Sequence, residues 1–396
     1  MKRFIEYVKT AFALLVALMA CTDKAKAAEY ATAEYMDSVE ISLLTCSPHE
    51  EVYSLYGHTA LRMHDLHQGR QHDVVFNWGV FNFEKPHFVL RFVFGLTDYE
   101  LEASRYEDFC LYYRQWGSSI TEQVLNLTSE EKLRLNAALA ENIKPENKVY
   151  RYNFFYDNCS TRPRDIVERI IDGGVVYMPR QDYTPTFREM IHAKTRHHDW
   201  ARFGNDMLLG VKADMKTNRK EQEFLPENLL YDFDYASIQA SDGSRRPLIK
   251  ERRQPVGAGV QLIVPDFVLS PTECATMLLV ACMIVMAIEW KRNKCYKYWD
   301  MALMLLTGLA GCVLLLMVFS QHPATSLNLQ LLLINPLHLF YIPAILRRRK
   351  STYWTALPVM VVLFIIGRTL QVYADGMVIL ALCLLSRYCI HFINEK

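Results

Sequence analysis

The sequence lacks an excess of either charge: 44 Lys and Arg stand against 43 Asp and Glu, a net charge of +1 over 396 residues. So close a balance excludes the basic footprint of a nucleic-acid binder. There is no internal repeat and no low-complexity tract, so a repeat architecture is not expected. His64, His67 and His72 have no Cys pair near them and fit no common zinc spacing. They read as a solvated loop, and no metal or other cofactor is expected. Cysteine is sparse in the water-soluble part: of the ten, only Cys46, Cys110 and Cys159 fall within residues 28–265. Whether Cys46 and Cys110 pair, leaving Cys159 free, is open from sequence.

Hydrophobicity is present but unevenly spread. Residues 28–265 are rich in charge and aromatics, whereas 268–396 are mostly apolar. The length implies more than one domain. Lys2, Arg3 and Lys9 precede the short apolar run Ala11–Ala20, and Ala25-Lys26-Ala27 offers an A-x-A cleavage site, the pattern of a signal peptide over 1–27. Leu18-Met19-Ala20-Cys21 is a competing lipobox, and an uncleaved anchor is the third alternative. All three export the domain that follows.

One stretch organises that domain, Tyr156-Asp157-Asn158-Cys159-Ser160-Thr161-Arg162-Pro163-Arg164-Asp165. Val149–Phe155 reads as a strand. Ile166, Val167, Ile170 and Ile171 then recur at helical spacing until Gly173-Gly174. Asn158, Ser160 and Thr161 are good N-cap types, and Pro163 is tolerated only in a first turn. Cys159 is therefore expected at a helix N-terminus, where the dipole and unpaired N–H groups favour the nucleophilic thiolate. A buried structural Cys is the competing reading. About a hundred residues earlier, His58 lies in the strand-like Tyr53–Met63 and could supply a base.

These residues also carry a resemblance. The order of His on a strand and then Asn-Cys at a helix resembles circularly permuted papain-like enzymes, among them NlpC-type peptidases and lecithin:retinol acyltransferase-like proteins. Tyr56-Gly57-His58-Thr59-Ala60-Leu61-Arg62, the stretch Val-Phe-Asn-Trp-Gly-Val-Phe-Asn-Phe at 75–83, Phe155–Arg162 and Phe224-Leu225-Pro226 resemble more closely the lipoprotein N-acyltransferase of Bacteroidota (Lnb). The match covers roughly Val39–Asp234, with a membrane region behind it. The resemblance implies an α+β, permuted papain-like periplasmic domain (28–265), then an all-α bundle of about five transmembrane helices (266–396). In such enzymes a polar residue on the strand after the His orients the imidazole. Asn77 takes that place in Asp73–Phe83, with His72 and Asp73 behind it; an Asn in a bend is the plain alternative.

The implied chemistry is cysteine-dependent acyl transfer through a thioester. Cys159 is the nucleophile, His58 the base and Asn77 the orienter. The Cys159 N–H would hold the oxyanion, with Tyr56 or Asn158 as a second donor. Arg62, Arg162 and Arg164 flank the stretch and could hold a lipid phosphate, with surface ion pairs as their plain role. The partners expected are a phospholipid acyl donor, a diacylglyceryl lipoprotein acceptor and the membrane. A membrane-tethered NlpC-type cell-wall peptidase or amidase is the alternative enzyme, and a scaffold or sensor the non-enzymatic one.

Tyr99–Tyr113 and Ser129–Asn142 read as helices and Lys250–Val264 as a linker. Five apolar spans are expected: Thr272–Trp290, Trp299–Phe319, Leu327–Leu346, Thr355–Val372 and Met377–Ile393, with Pro336 and Pro343 kinking the third. Lys291, Arg292, Lys294 and Lys297 follow the first span, and Arg347–Lys350 follow the third. The positive-inside rule puts both groups in the cytoplasm, with the large domain outside, the C-terminus inside and the inner membrane as the location. Arg245, Arg246, Lys250, Arg252 and Arg253 would then lie outside, near lipid headgroups.

Overall fold

A computed structural model describes residues 32–81, 86–180, 183–240, 242–261, 266–347 and 353–394. The expected signal peptide and Cys21 lie outside the described residues. The chain is α+β: a sheet-rich part comes first and a helical part follows. The main sheet has seven antiparallel strands. In chain order they are β1 (Val39–Cys46), β2 (His58–Asp65), β3 (Asp73–Val80), β4 (Asp98–Arg105), β5 (Ile120–Leu125), β6 (Val149–Arg151) and β10 (Ile249–Val256). Across the sheet they run β10-β5-β1-β2-β3-β4-β6. A second sheet joins β7 (Val175–Val176), β8 (Ser237–Gln239) and β9 (Arg245–Pro247).

Strand alternation builds a core on each face of the main sheet. Leu43, Leu61, Trp78 and Leu101 pack against α2 (Ser129–Asn142), α3 (Thr161–Ile170) and α5 (Pro226–Asp234) through Leu135, Leu139, Val167, Ile170, Leu229 and Phe233. Leu44, Ala60, Val75 and Val256 face the other way, onto Phe109 and Tyr113 of α1 (Tyr106–Gln115). His58 shares its parity with Ala60, and Asn77 with Val75, so both point to the α1 side. Cys46 and Cys110 lie in that second cluster as free thiols.

Several expectations need correcting. Residues 99–113 are not one helix: β4 runs to Arg105 and α1 starts at Tyr106. Tyr99 and Leu101 are buried in alternation with more exposed neighbours, a strand pattern inside a stretch that also suits a helix. Lys250–Val264 does not begin as a linker. Ile249–Val256 pairs with β5 as an edge strand, and its register shift between Arg253 and Val256 admits Pro255. Arg252 and Arg253 are engaged with Asp234, Glu40 and Glu251. The strand before Cys159 is only Val149–Arg151, after which Asn153 and Asp157 bridge a tight turn.

In the helical part, Pro271–Arg292, Lys297–Val318 and Leu329–Leu346 are long and apolar enough to cross a membrane, and Tyr353–Gly367 and Met377–Ile393 are shorter apolar helices. The third stretch is broken more than kinked. A 3-10 turn at Leu329–Leu332 is followed by a helix over Leu337–Leu346, with Pro336 as its N-cap. The fourth helix stops at Gly367, leaving Arg368 in the connection. Among the buried polar groups, Arg387 binds Glu289 and Asp300 at 2.6 Å each, and His391 adds Asp300 at 2.9 Å. This network ties the last helix to the first two. With the charges mutually paired, its burial is tolerable.

The two parts are docked through α4 (Asp199–Leu208). The final carbonyls of a helix have no partner within it. Here the helical part supplies them: Gln330 Nε2 donates to the Asp206 carbonyl at 2.8 Å and Asn328 Nδ2 to that of Met207 at 2.8 Å. Just beyond α4, Gln371 Nε2 donates to the Leu209 carbonyl at 2.9 Å. Arg202 pairs with Asp375 at 2.8 Å. On another side, the Gln321 N–H donates to the Phe94 carbonyl at 3.0 Å.

Candidate active site

Antiparallel pairing of β2 with β3, in register at Leu61 and Phe76, carries the start of β2 alongside the end of β3. His58 Nε2 thereby comes 2.5 Å from Asn77 Oδ1. A carbonyl oxygen only accepts, so Nε2 carries a proton, and in the neutral ring Nδ1 keeps its lone pair. Cys159 reaches the same point from α3. Asn158 makes the turn that presents it: Oδ1 accepts from the Ser160 and Thr161 N–H groups at 2.8 and 2.9 Å, in the manner of a helix cap. A buried hydroxyl contact, Thr59 Oγ1 to Ser160 Oγ at 2.9 Å, tethers the His58 strand to the Cys159 turn.

The environment sets the charges. Burial pushes the Cys159 thiol up, but the His58 charge, hydrogen bonding to His58, the Thr59 N–H and the Ser160 hydroxyl outweigh it, and the thiol falls below its ordinary 9.0. Burial likewise pushes His58 down, yet the facing Cys159 and the Asn77 bond carry it above 6.5. Each group favours the charged form of the other. The Cys159 N–H donates to no group among the described residues.

A cavity of about 450 Å³ opens onto His58, Asn77 and Cys159. Its wall is largely aromatic. Tyr53 meets Phe81 edge-on, Phe81 stacks on Tyr99 at 4.9 Å and Tyr99 stacks on Tyr152 at 4.0 Å. Tyr56 also lines it, accepting from Asn205 Nδ2 of α4 at 2.7 Å, and so its hydroxyl hydrogen is left for another acceptor. Gly79 comes close enough that an added Cβ would sit 3.7 Å from the Cys159 Cβ.

The other candidates are placed elsewhere. Asn158 has no capacity left for an oxyanion, since its Nδ2 donates to the Phe154 and Phe224 carbonyls at 2.9 and 2.8 Å. Asp73 is committed to Arg62, and His72 is exposed. None of the three arginines lines the cavity. Arg62 is buried between Asp73 and Glu122, at 2.7 Å from each, and under the Tyr106 ring. Arg162 grips Asp157 at 2.6 Å and covers Tyr150. Arg164 is buried against Asp165 and Glu223. Missed from sequence were Thr59, Gly79, Tyr113, whose ring lies 6.5 Å from that of His58, and the cavity-lining His49 and Glu102. The Asn77–Glu102 strand pair follows from β4, which the sequence reading placed in a helix.

The class the fold and site define is a sheet domain that presents Cys, His and Asn in one cavity and rests on helices apolar and long enough to cross a membrane. Two family models match, one described as the Lnb N-terminal periplasmic domain over residues 26–192 and one as the Lnb transmembrane domain over 264–396. The chain belongs to the Lnb family, membrane proteins of the lipoprotein N-acyltransferase type with a periplasmic N-terminal domain. No curated protein and no solved structure matches it.

Proposed function

We propose that the protein moves an acyl chain from a membrane phospholipid, through a thioester on Cys159, to the N-terminal amine of diacylglyceryl-cysteine lipoproteins. The observation that carries this reading is the His58–Asn77 bond, which aims an imidazole at Cys159 inside an aromatic cavity. His58 takes the thiol proton as sulfur attacks the ester, then gives it to the departing lyso-lipid. The amine next attacks the thioester, and the second proton returns to sulfur through His58. The Cys159 N–H and the Tyr56 hydroxyl are suited to hold the oxyanion in both steps.

Docking through α4 supports a membrane substrate over a soluble one. A cell-wall peptidase needs an anchor, but not a catalytic domain hydrogen-bonded to the connections between apolar helices. The proposed layout is a signal peptide over 1–27, a periplasmic catalytic domain over 28–265 and a helical domain over 266–396 in the inner membrane. The C-terminus is cytoplasmic, which suits the contact of Arg202 with Asp375 on the periplasmic side.

The test is mass spectrometry of a lipoprotein's N-terminal peptide with and without the protein. A third acyl chain should appear only with active protein and vanish with Cys159→Ala. Labelled phospholipid without acceptor should leave a hydroxylamine-labile label on Cys159. If that label never forms while Cys159→Ala still acylates, the covalent route is wrong.

A further inference from the structure

We infer that His49 is a second proton acceptor in the Cys159 cavity, taking the first proton from the incoming α-ammonium; this rests on the N-acyltransferase reading above. An α-amine has an ordinary pKa of about 8, so at neutral pH it arrives mostly as ammonium. Two protons must leave it. One goes before nitrogen can attack, and one as the amide forms. His58 accounts for the second, which ends on the Cys159 sulfur, and a single imidazole cannot hold both.

The structure puts a second imidazole at hand. His49 is 4% exposed and lines the cavity with His58 and Cys159. Its ring stacks on Trp116 at 4.6 Å and meets Tyr113 edge-on at 6.3 Å. Tyr113 lies in turn at 6.5 Å from the His58 ring, so one tyrosine is flanked by two imidazoles. His49 Nδ1 is buried without a hydrogen-bond partner among the described residues, and the Glu51 carboxylate stands 4.0 Å away. A buried polar atom left unpaired is costly and calls for an explanation. A proton acceptor backed by a carboxylate supplies one.

The groups facing His49 are Glu51, Glu50, His58, Tyr112 and Tyr113. Burial, the largest influence, and His58 hold the ring below 6.5, while Glu51 and Glu50 oppose them. His49 is therefore neutral at neutral pH and able to accept. The step balances. The ammonium gives one proton to His49, and its nitrogen lone pair forms the C–N bond. The C–S bond breaks with its electron pair on sulfur, and the second amine proton reaches that sulfur through His58. Protonated His49 then releases its proton to solvent.

The test uses the full chain in phospholipid vesicles, with His49→Gln and with His49→Phe, which keeps the stack on Trp116. Acylation of Cys159 by labelled phospholipid and its deacylation by a diacylglyceryl-cysteinyl peptide are timed separately across pH. The ratio of deacylation to acylation rate at pH 7 should fall about tenfold or more in both variants. The deacylation profile should move up toward the amine's own value of about 8. Equal losses in both steps with an unmoved profile would mean a packing role and overturn the inference, as would an unchanged ratio. Should both variants fail to fold, the wild-type deacylation profile decides: a break well below the amine's value supports His49, and a single break at that value overturns it. Absence of any acyl label on wild-type Cys159 sinks the N-acyltransferase reading itself and the role of His49 with it.

Discussion

His58 Nε2 lies 2.5 Å from Asn77 Oδ1, and that bond decides which nitrogen faces Cys159. With Nε2–H spent on Asn77, Nδ1 is the nitrogen available to the thiol. The Asn is therefore a positioning residue, and its loss should act through the thiol. In alkylation by iodoacetamide the rate follows the thiolate. It should stay high below pH 9.0, because the thiol sits below that value, and fall as pH drops through the lowered midpoint. In His58→Ala the opposing charge is gone and burial is countered only by the Thr59 N–H and the Ser160 hydroxyl, so the midpoint should rise. Asn77→Ala should shift it by less. A midpoint at the free-thiol value in all three proteins would show that the facing pair does not form.

The three arginines should behave as parts of the scaffold. Removing Arg62 leaves Asp73 and Glu122 buried without the guanidinium that pairs with both. Breaking a buried pair in this way costs about 3–5 kcal/mol. Arg62→Met should accordingly lower Tm, while the folded fraction keeps its KM for phospholipid. Loss of donor affinity at unchanged stability would restore the headgroup role.

The helix start at Cys159 was legible because its signals are local: cap residues, Pro163 in the first turn and a 3.6-residue apolar period ended by Gly173-Gly174. Its meeting with His58 and Asn77 was legible only through resemblance, since strand pairing is non-local. The arginines misled for the same reason. Arg62 has Glu122 sixty residues away as its partner, and no spacing rule brings them together. His49 gave no signal at all: one His after Ser-Pro has no meaning until Trp116 is laid against it.

Gly57 just before His58 tests how strictly the strand entry is built. It holds φ at +79°, and an added Cβ would sit 2.8 Å from the Cys46 carbonyl oxygen. An L side chain in that left-handed region costs roughly 1–2 kcal/mol before the overlap is counted. Gly57→Ala should lower stability by at least that amount in chemical denaturation. It should also slow transfer, because relieving the overlap moves His58. Gly79→Ala, at φ +95° but with 3.7 Å of room, should be the milder of the two at the backbone.

The docking through α4 separates chemistry from access to the bilayer. Gln330 and Gln371 hold the end of that helix, and Asn205 on the same helix bonds Tyr56 in the cavity. Loosening the dock should therefore misplace the cavity against its membrane substrates without dismantling the Cys159 site. In Gln330→Ala/Gln371→Ala, transfer from vesicle phospholipid to lipoprotein should fall on the order of tenfold to a hundredfold, the scale of a small misplacement. Alkylation of Cys159 by water-soluble iodoacetamide should keep its rate and pH midpoint, since His58 and Asn77 are untouched. Equal losses in both assays would mean that the dock supports the fold of the catalytic domain and not its reach to lipid. Full transfer in the double variant would show that the cavity finds its substrates without α4.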